Sequence, residues 1–289
     1  MVSADSIKSN AGGTKMKSLN VIKIGGNVID HPENLKKFLA DFAGLKGYKI
    51  LVHGGGKIAT KLAADLGIRS QMVEGRRVTD SESLKIVTMV YAGLLNKNIV
   101  AGLQQEGCNA IGLSGADGNI IRAKRRPLKE VFSPEKGENI YVDYGFVGDL
   151  NEDSVDHSGL GNLLEAGFIP VFSAITHDGE GQLLNTNADT IASAIAVAMA
   201  GKYETSLIYC FEKAGVLRDV NDEDSLIKTI DPHAYSEYKR QGIISEGMIP
   251  KLDNAFEAIN QGLKHVFIGK ADALSQLNEH NFGTRLSIN

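Results

Sequence analysis

A chain of 289 residues with 43% hydrophobic residues, 32 glycines and a formal net charge of -4 can bury a full core, as one large domain or two intimate lobes. The slightly acidic balance excludes a global attraction for nucleic acid or anionic lipid, so any bound anion needs a local site. The longest nearly unbroken apolar stretch, Ile191 to Ala200, is about half of the ~20 residues a membrane-spanning helix needs. No charged-then-apolar signal peptide opens the chain, and Cys108 and Cys210 make neither a metal pattern nor a disulfide framework. A cytoplasmic protein is the expectation.

Residues 1–15 are small and polar with little periodicity, and read as a mobile tail or leader that runs to about residue 18. Leu19 to Ile24 is a short apolar run that ends in Gly25-Gly26, the pattern of a strand. Leu35 to Leu45 has helical spacing. Lys49 to Val52 is a second strand that runs into His53-Gly54-Gly55-Gly56, and Lys57 to Leu66 then has helical spacing. A long helix is expected from about Ser83 to Gln105, closed by Gly107. It has surface enough to pack on the core and also on a partner subunit, and both readings stand.

Ala110 to Leu113, Asn119 to Arg122 and Ile140 to Val147 read as strands, the last two in an antiparallel excursion. The basic run between them, from Arg122 to Lys129, reads as a solvated edge. It lacks the aromatic interleaving of a nucleic-acid surface. A helix is expected after Gly161, then a buried strand over Phe168 to Phe172 and a short apolar segment over Gln182 to Leu184. Ala188 to Ala200 is a very apolar helix, Ser206 to Phe211 a strand, Lys251 to Leu263 a helix and His265 to Ile268 a late strand. This alternation implies the α/β class, with helices on both faces of a mostly parallel sheet.

The chain has no GxxxxGK[ST], so it has no P-loop nucleotide site, and no GxGxxG after a strand, which leaves a dinucleotide fold unsupported. It has instead two separate glycine loops, Gly25-Gly26 and Gly54-Gly55-Gly56, each at the C-terminal end of a strand, where α/β folds bind ligands. Glycine lets backbone N–H groups come close to phosphate or carboxylate oxygens; the plainer alternative is two tight turns. Lys23 lies inside an apolar strand, which is costly unless it reaches an anion or snorkels from an edge strand. Asn185-Thr186-Asn187-Ala188-Asp189 offers a surplus of polar side chains where a helix start needs one cap. In Gly247-Met248-Ile249-Pro250-Lys251 a cation sits at a helix N-terminus, against the helix dipole, unless an anion is bound there.

Together and in this order, VIKIGGN, LVHGGGK, EGRRVTD, YGFVGDL, IPVFSAI, LLNTNADTIASAIA, AGVLRD and EGMIPKLDNAF resemble the amino-acid kinase family. HGGG followed by GRRVT, NTNAD and GMIPK points to its acylglutamate branch. The resemblance runs from about residue 19 to the C-terminal FGTRL. It implies a three-layer α/β/α sandwich around an open, mostly parallel eight-stranded sheet. Residues 19–193 would form a lobe for the acylated amino acid and for dimerisation, and residues 194–289 a lobe for ATP. Implied catalytic groups are Lys23, Lys251, their organiser Asp189, and amides at Gly26 and Gly55. Gly54, Gly55, Gly56, Arg77 and Asn185 would bind the acceptor. Lys23, Gly25, Gly26, Glu212, Gly215, Gly247 and Lys251 would bind the nucleotide. ATP would bring Mg²⁺ with it, and no separate protein metal site is implied.

The physical case agrees with the resemblance. A glutamate side chain with a pKa near ~4.3 is already ionised at neutral pH, so no general base is required. The obstacle is repulsion between an anionic acceptor and a polyanionic donor, which positioning and charge neutralisation overcome. Arg77 suits an α-carboxylate because its planar fork matches two oxygens. The chain departs from the family on the ATP side. Cys210-Phe211-Glu212-Lys213-Ala214-Gly215 stands where a Ser/Thr-Asp pair leading into a Val-x-Gly turn is usual. A long helical N-terminal extension is not expected before Leu19, which implies an arginine-insensitive homodimer with the helix around residues 83–105 at its interface. The acyl group stays open between acetyl and succinyl. A sibling amino-acid kinase and a non-catalytic amino-acid-binding regulatory module are the remaining alternatives.

Overall fold

The computed structural model describes residues 16–68, 71–73, 76–133, 137–244 and 248–288. Residues 1–15 and Gly247 lie outside that set. Eight strands form the main sheet: β1 (Ser18–Ile24), β2 (Tyr48–His53), β3 (Ala110–Leu113), β4 (Ile169–Ser173), β5 (Glu204–Phe211), β6 (Thr229–Ile230), β7 (His265–Lys270) and β8 (Thr284–Leu286). Their order is β6-β8-β7-β5-β1-β2-β4-β3. Every pairing is parallel except β7 with β8. The central strands are buried on both faces, which is why VIKI, ILVH and SLIYC read as continuous apolar runs without alternation.

The helices are α1 (Gly26–Ile29), α2 (Pro32–Ala43), α3 (Gly56–Asp65), α4 (Ser81–Thr88), α5 (Asn96–Gln105), α6 (His157–Glu165), α7 (Ala188–Met199), α8 (Pro232–Arg240) and α9 (Ile249–Asn260). α2, α5 and the 3₁₀ segment Ala271–Glu279 cover one face of the sheet, and α6, α7 and α9 cover the other. This is the three-layer sandwich expected. The sheet is continuous across the 193/194 division, which falls inside α7. That helix packs on β1, β2 and β5 alike.

Some elements differ from the sequence reading. The long helix runs from Ser81 to Gln105, but Met89–Leu95 is π-helical between α4 and α5. By length and composition this helix could cross a membrane, yet Ile86, Val87, Val90, Ile99 and Leu103 are buried in the core. Asn119 to Arg122 is no strand. Asp117–Asn119 is a 3₁₀ turn, and Ile121 and Arg122 make only isolated bridges to Val155 and His177. Ile140 to Val147 divides between a hairpin arm, Glu138–Val142 paired with Lys129–Ser133, and Val147–Asp149 of a four-stranded second sheet. Gly161 lies within α6 rather than before it. The amphipathic α8 and the short hairpin Met72–Val73/Arg76–Arg77 were not legible in the sequence.

Lys49, a buried lysine on β2, has a structural role. Its Nζ donates to the carbonyls of Phe42, Ala43 and Leu45 at 3.2, 2.7 and 2.9 Å, capping the C-terminus of α2. Burial lowers its pKa from the ordinary lysine value. Lys49→Met is expected to lower unfolding free energy by about 1–3 kcal/mol, the scale for orphaned buried acceptors. Denaturant unfolding measures this, and wild-type stability in the variant would remove the capping role.

Candidate active site at the strand-order switch

β2, β3 and β4, all before residue 174, lie on one side of β1, and β5 to β8, all after residue 203, lie on the other. Such a reversal opens a crevice at the C-terminal ends of the strands. Both glycine loops open there, Gly25-Gly26 after β1 and Gly54-Gly55-Gly56 after β2, and Phe211 ends β5 beside them.

Lys23 is on a central strand, paired between Val52 and Tyr209, so it cannot snorkel from an edge. Its Nζ instead lies 2.8 Å from Asp189 Oδ1, with side-chain exposures of 10% and 20%. That oxygen is buried and has no well-directed hydrogen bond, so the attraction is a contact ion pair. Asp189 is in the first turn of α7, and the polar residues of that junction divide their tasks. Asn187 is the cap, accepting from the N–H groups of Asp189 and Thr190 at 2.8 and 3.1 Å. Asp189 takes Lys23. Asn185 Nδ2 donates to Thr79 Oγ1 at 3.0 Å and lines a cavity.

Lys251 is in the first turn of α9, where the sequence placed its electrostatic conflict. Burial lowers its pKa; the charge of Asp189 opposes this and that of Lys23 adds to it. Asp189 therefore contacts Lys23 directly and acts on Lys251 through its field. The ring of Phe211 lies beneath both ammonium groups, 4.0 Å from Lys251 Nζ and 5.4 Å from Lys23 Nζ. This cation–π platform occupies a position where the sequence suggested only a departure from the family pattern.

Two cavities meet at Gly56. One, of about 470 Å³, is lined by Lys23, Gly25, Gly26, Phe211, Glu212, Gly215, Met248 and Lys251, with Lys57 at its rim. The other, of about 260 Å³, is lined by Gly54, Gly55, Arg77, Arg126 and Asn185, with Tyr91 and Met72. A larger cavity of about 560 Å³ between α7 and α9 has Glu152, Asp153 and Glu257 in its wall and no cation, so its chemistry does not suit a phosphate. Gly26 has open space where a Cβ would be, with no neighbour within 4 Å. Gly55 has φ +156°, and a Cβ there would lie 2.2 Å from Leu95 Cδ1. Only glycine fits between the cleft and the long helix at that point.

Arg77 Nη2 donates to Thr60 Oγ1 at 2.6 Å and to the Gly56 carbonyl at 3.3 Å, which fixes the guanidinium over the second glycine loop. Arg126 was read as part of a solvated edge. It instead lines the second, smaller cavity with a side chain only 10% exposed, ion-paired to Asp149 and lying over the Tyr144 ring. Nothing in the basic run distinguishes Arg126 from Arg125. The pairing of Lys124–Arg125 with Val147–Asp149, distant in sequence, brings it inward.

Residues 18–270 match the model of the Amino acid kinase family. The sequence is 55% identical over 276 residues to the acetylglutamate kinase of Cytophaga hutchinsonii, covering 95% of this chain and 100% of that one. It is 53% identical over 260 residues to the acetylglutamate kinase of Phocaeicola vulgatus, covering 90% and 96%. Among solved structures, the N-acetylglutamate synthase of Neisseria gonorrhoeae with coenzyme A and N-acetyl-glutamate superposes with a TM-score of 0.74 at 21% identity. That match covers 94% of this chain and 60% of that one. Giardia carbamate kinase superposes at 0.65 and 13% identity, covering 96% and 100%. These two likenesses concern the fold. Sequence match and fold agree, and the chain belongs to the amino acid kinase family.

Proposed function

We propose that the protein transfers the γ-phosphoryl group of ATP to the side-chain carboxylate of an N-acyl-L-glutamate, with N-acetylglutamate as acceptor, as in arginine biosynthesis. The observation that carries this reading is the convergence of Lys23 and Lys251 on one cavity that adjoins a second, arginine-lined cavity at the glycine loop. The close relatives named acetylglutamate kinase support the same acceptor. The triphosphate occupies the lysine-lined cavity and the acceptor the arginine-lined one. A carboxylate oxygen attacks phosphorus, the new O–P bond forms in line as the bond to the bridging oxygen breaks, and ADP leaves with the electron pair. The product is an acyl phosphate.

The acceptor is already ionised, so the residues act through position and charge. Lys23 and Lys251 offset repulsion between the two anions, Asp189 keeps Lys23 in place, and amides at Gly26 and Gly55 donate to the phosphoryl oxygens. Arg77 and Asn185 hold the α-carboxylate and its neighbours. Mg²⁺ enters as part of the nucleotide substrate. A second acceptor, N-succinylglutamate, is favoured by one observation: Arg126, tied to Asp149, adds another guanidinium to the acceptor wall, suited to an acyl group that bears its own carboxylate.

Met89 and Leu94 are 55% and 53% exposed on the long helix, which supports a homodimer formed through that helix. Sedimentation is expected to give a dimer that Leu94→Glu dissociates; a monomeric wild type would remove this assignment.

Hydroxylamine trapping with ATP and N-acetylglutamate, N-succinylglutamate or free glutamate is expected to give hydroxamate with an acylated acceptor and little with glutamate. Equal or greater product from free glutamate would transfer the protein to a sibling activity, and no product from any of the three would leave a binding module.

Lys251→Ala is expected to lower kcat by roughly 10²–10³, the scale for one transition-state donor. Because the Lys251 pKa is lowered in the free enzyme, kcat/KM for ATP falls on the alkaline side with an apparent pKa below 10.5. Asp189→Asn is expected to reduce kcat more than it raises KM for ATP. Steady-state pH profiles measure all three effects, and near-normal kcat in either variant would exclude that residue from the mechanism.

A further inference from the structure

His53, the last residue of β2, is fully buried and has no part in the mechanism above. Its Nδ1 lies 2.9 Å from the Gly54 carbonyl oxygen, and its Nε2 lies 3.2 Å from Asn96 Nδ2. The same Asn96 nitrogen is 2.9 Å from the carbonyl of Val171, which can only accept. The other end of the amide, Asn96 Oδ1, is 3.2 Å from the Lys97 ammonium, which can only donate. These obligatory partners fix the amide orientation, so Nε2 accepts and Nδ1 carries the hydrogen that Gly54 receives. Burial, opposed by the Gly54 bond, holds the imidazole neutral with its pKa lowered to about 4.

The long helix is shaped to this contact. Residues five apart lie on one face of a π turn, whereas in an α-helix they are roughly 140° apart. The π segment Met89–Leu95 therefore lets Tyr91 pack beneath Gly55 while Asn96 still reaches His53; Leu95 fills the space between. In a planar trans peptide, C=O and N–H point in opposite directions. A bond that holds the Gly54 carbonyl down toward His53 aims the Gly55 N–H up, away from the core and toward the cavity that Gly55 lines.

We infer that His53 is a positioning residue for phosphoryl transfer: its Nδ1–H sets the direction of the Gly55 amide, and Asn96 at the end of the π segment sets its tautomer. The inference rests on the reading of Gly55 as a phosphoryl donor and adds the device that orients it. The side-chain amide of asparagine can replace Nδ1–H, whereas that of glutamine reaches only the Nε2 position.

The test is steady-state kinetics of H53N, H53Q and H53L with ATP and N-acetylglutamate, together with the ¹⁵N spectrum of the wild-type imidazoles. H53Q and H53L are expected to lose roughly 10–10² in kcat with KM for ATP within about threefold, less than the loss of a whole donor. H53N is expected to recover most of that loss, and the wild-type spectrum to show a neutral ring protonated at Nδ1. Wild-type kcat in H53L, or H53N no better than H53Q, overturns the inference while leaving the kinase reading intact. A ring protonated at Nε2 overturns it even if the variants do not fold. A wild type that forms no acyl phosphate overturns the kinase reading, and the imidazole spectrum still decides the orientation.

Discussion

The site depends on one contact made inside the central sheet, the ion pair between Lys23 and Asp189. A cation on an interior parallel strand is unfavourable unless it is matched. Here the match comes from the first turn of the helix that packs across β1, β2 and β5. The pair thus forms only when α7 is docked on β1. It leaves the ammonium at the mouth of the crevice, with the glycine loops on one side and α9 on the other. The positive groups around it are then set by geometry: Lys251 by the start of α9, and both ammonium groups by the ring of Phe211.

Much of this was legible wherever a residue conflicted with its own local setting. Lys251 at a helix N-terminus, Lys23 in an apolar strand and the surplus of polar groups in Asn185-Thr186-Asn187-Ala188-Asp189 each contradicted a simple rule of burial or dipole. Each lines or adjoins the cleft. Continuous apolar runs marked the parallel strands for the same reason, because burial on both faces removes alternation.

The features that escaped have no local signature. Arg126 is chemically identical to the solvated Arg125, and only strand pairing across more than twenty residues turns it inward. The π segment lies inside a longer helical pattern, and its Tyr91 and Leu95 pack against Gly55, far away in sequence. Asn119 to Arg122 has strand-like residues but no neighbouring strand to pair with along its length. Phe211 became informative only when two lysines, distant in sequence, were found above the same ring.

Lys49 and the cleft lysines handle charge in opposite ways. Lys49 is enclosed by main-chain dipoles and meets no mobile counter-ion, whereas the cleft holds an open field of cations that an approaching anion must sense across solvent. Dissolved electrolyte shields the second kind of interaction over a Debye length and scarcely reaches the first. Rising ionic strength therefore weakens capture of an anion by the cleft while the sandwich around it keeps its cohesion.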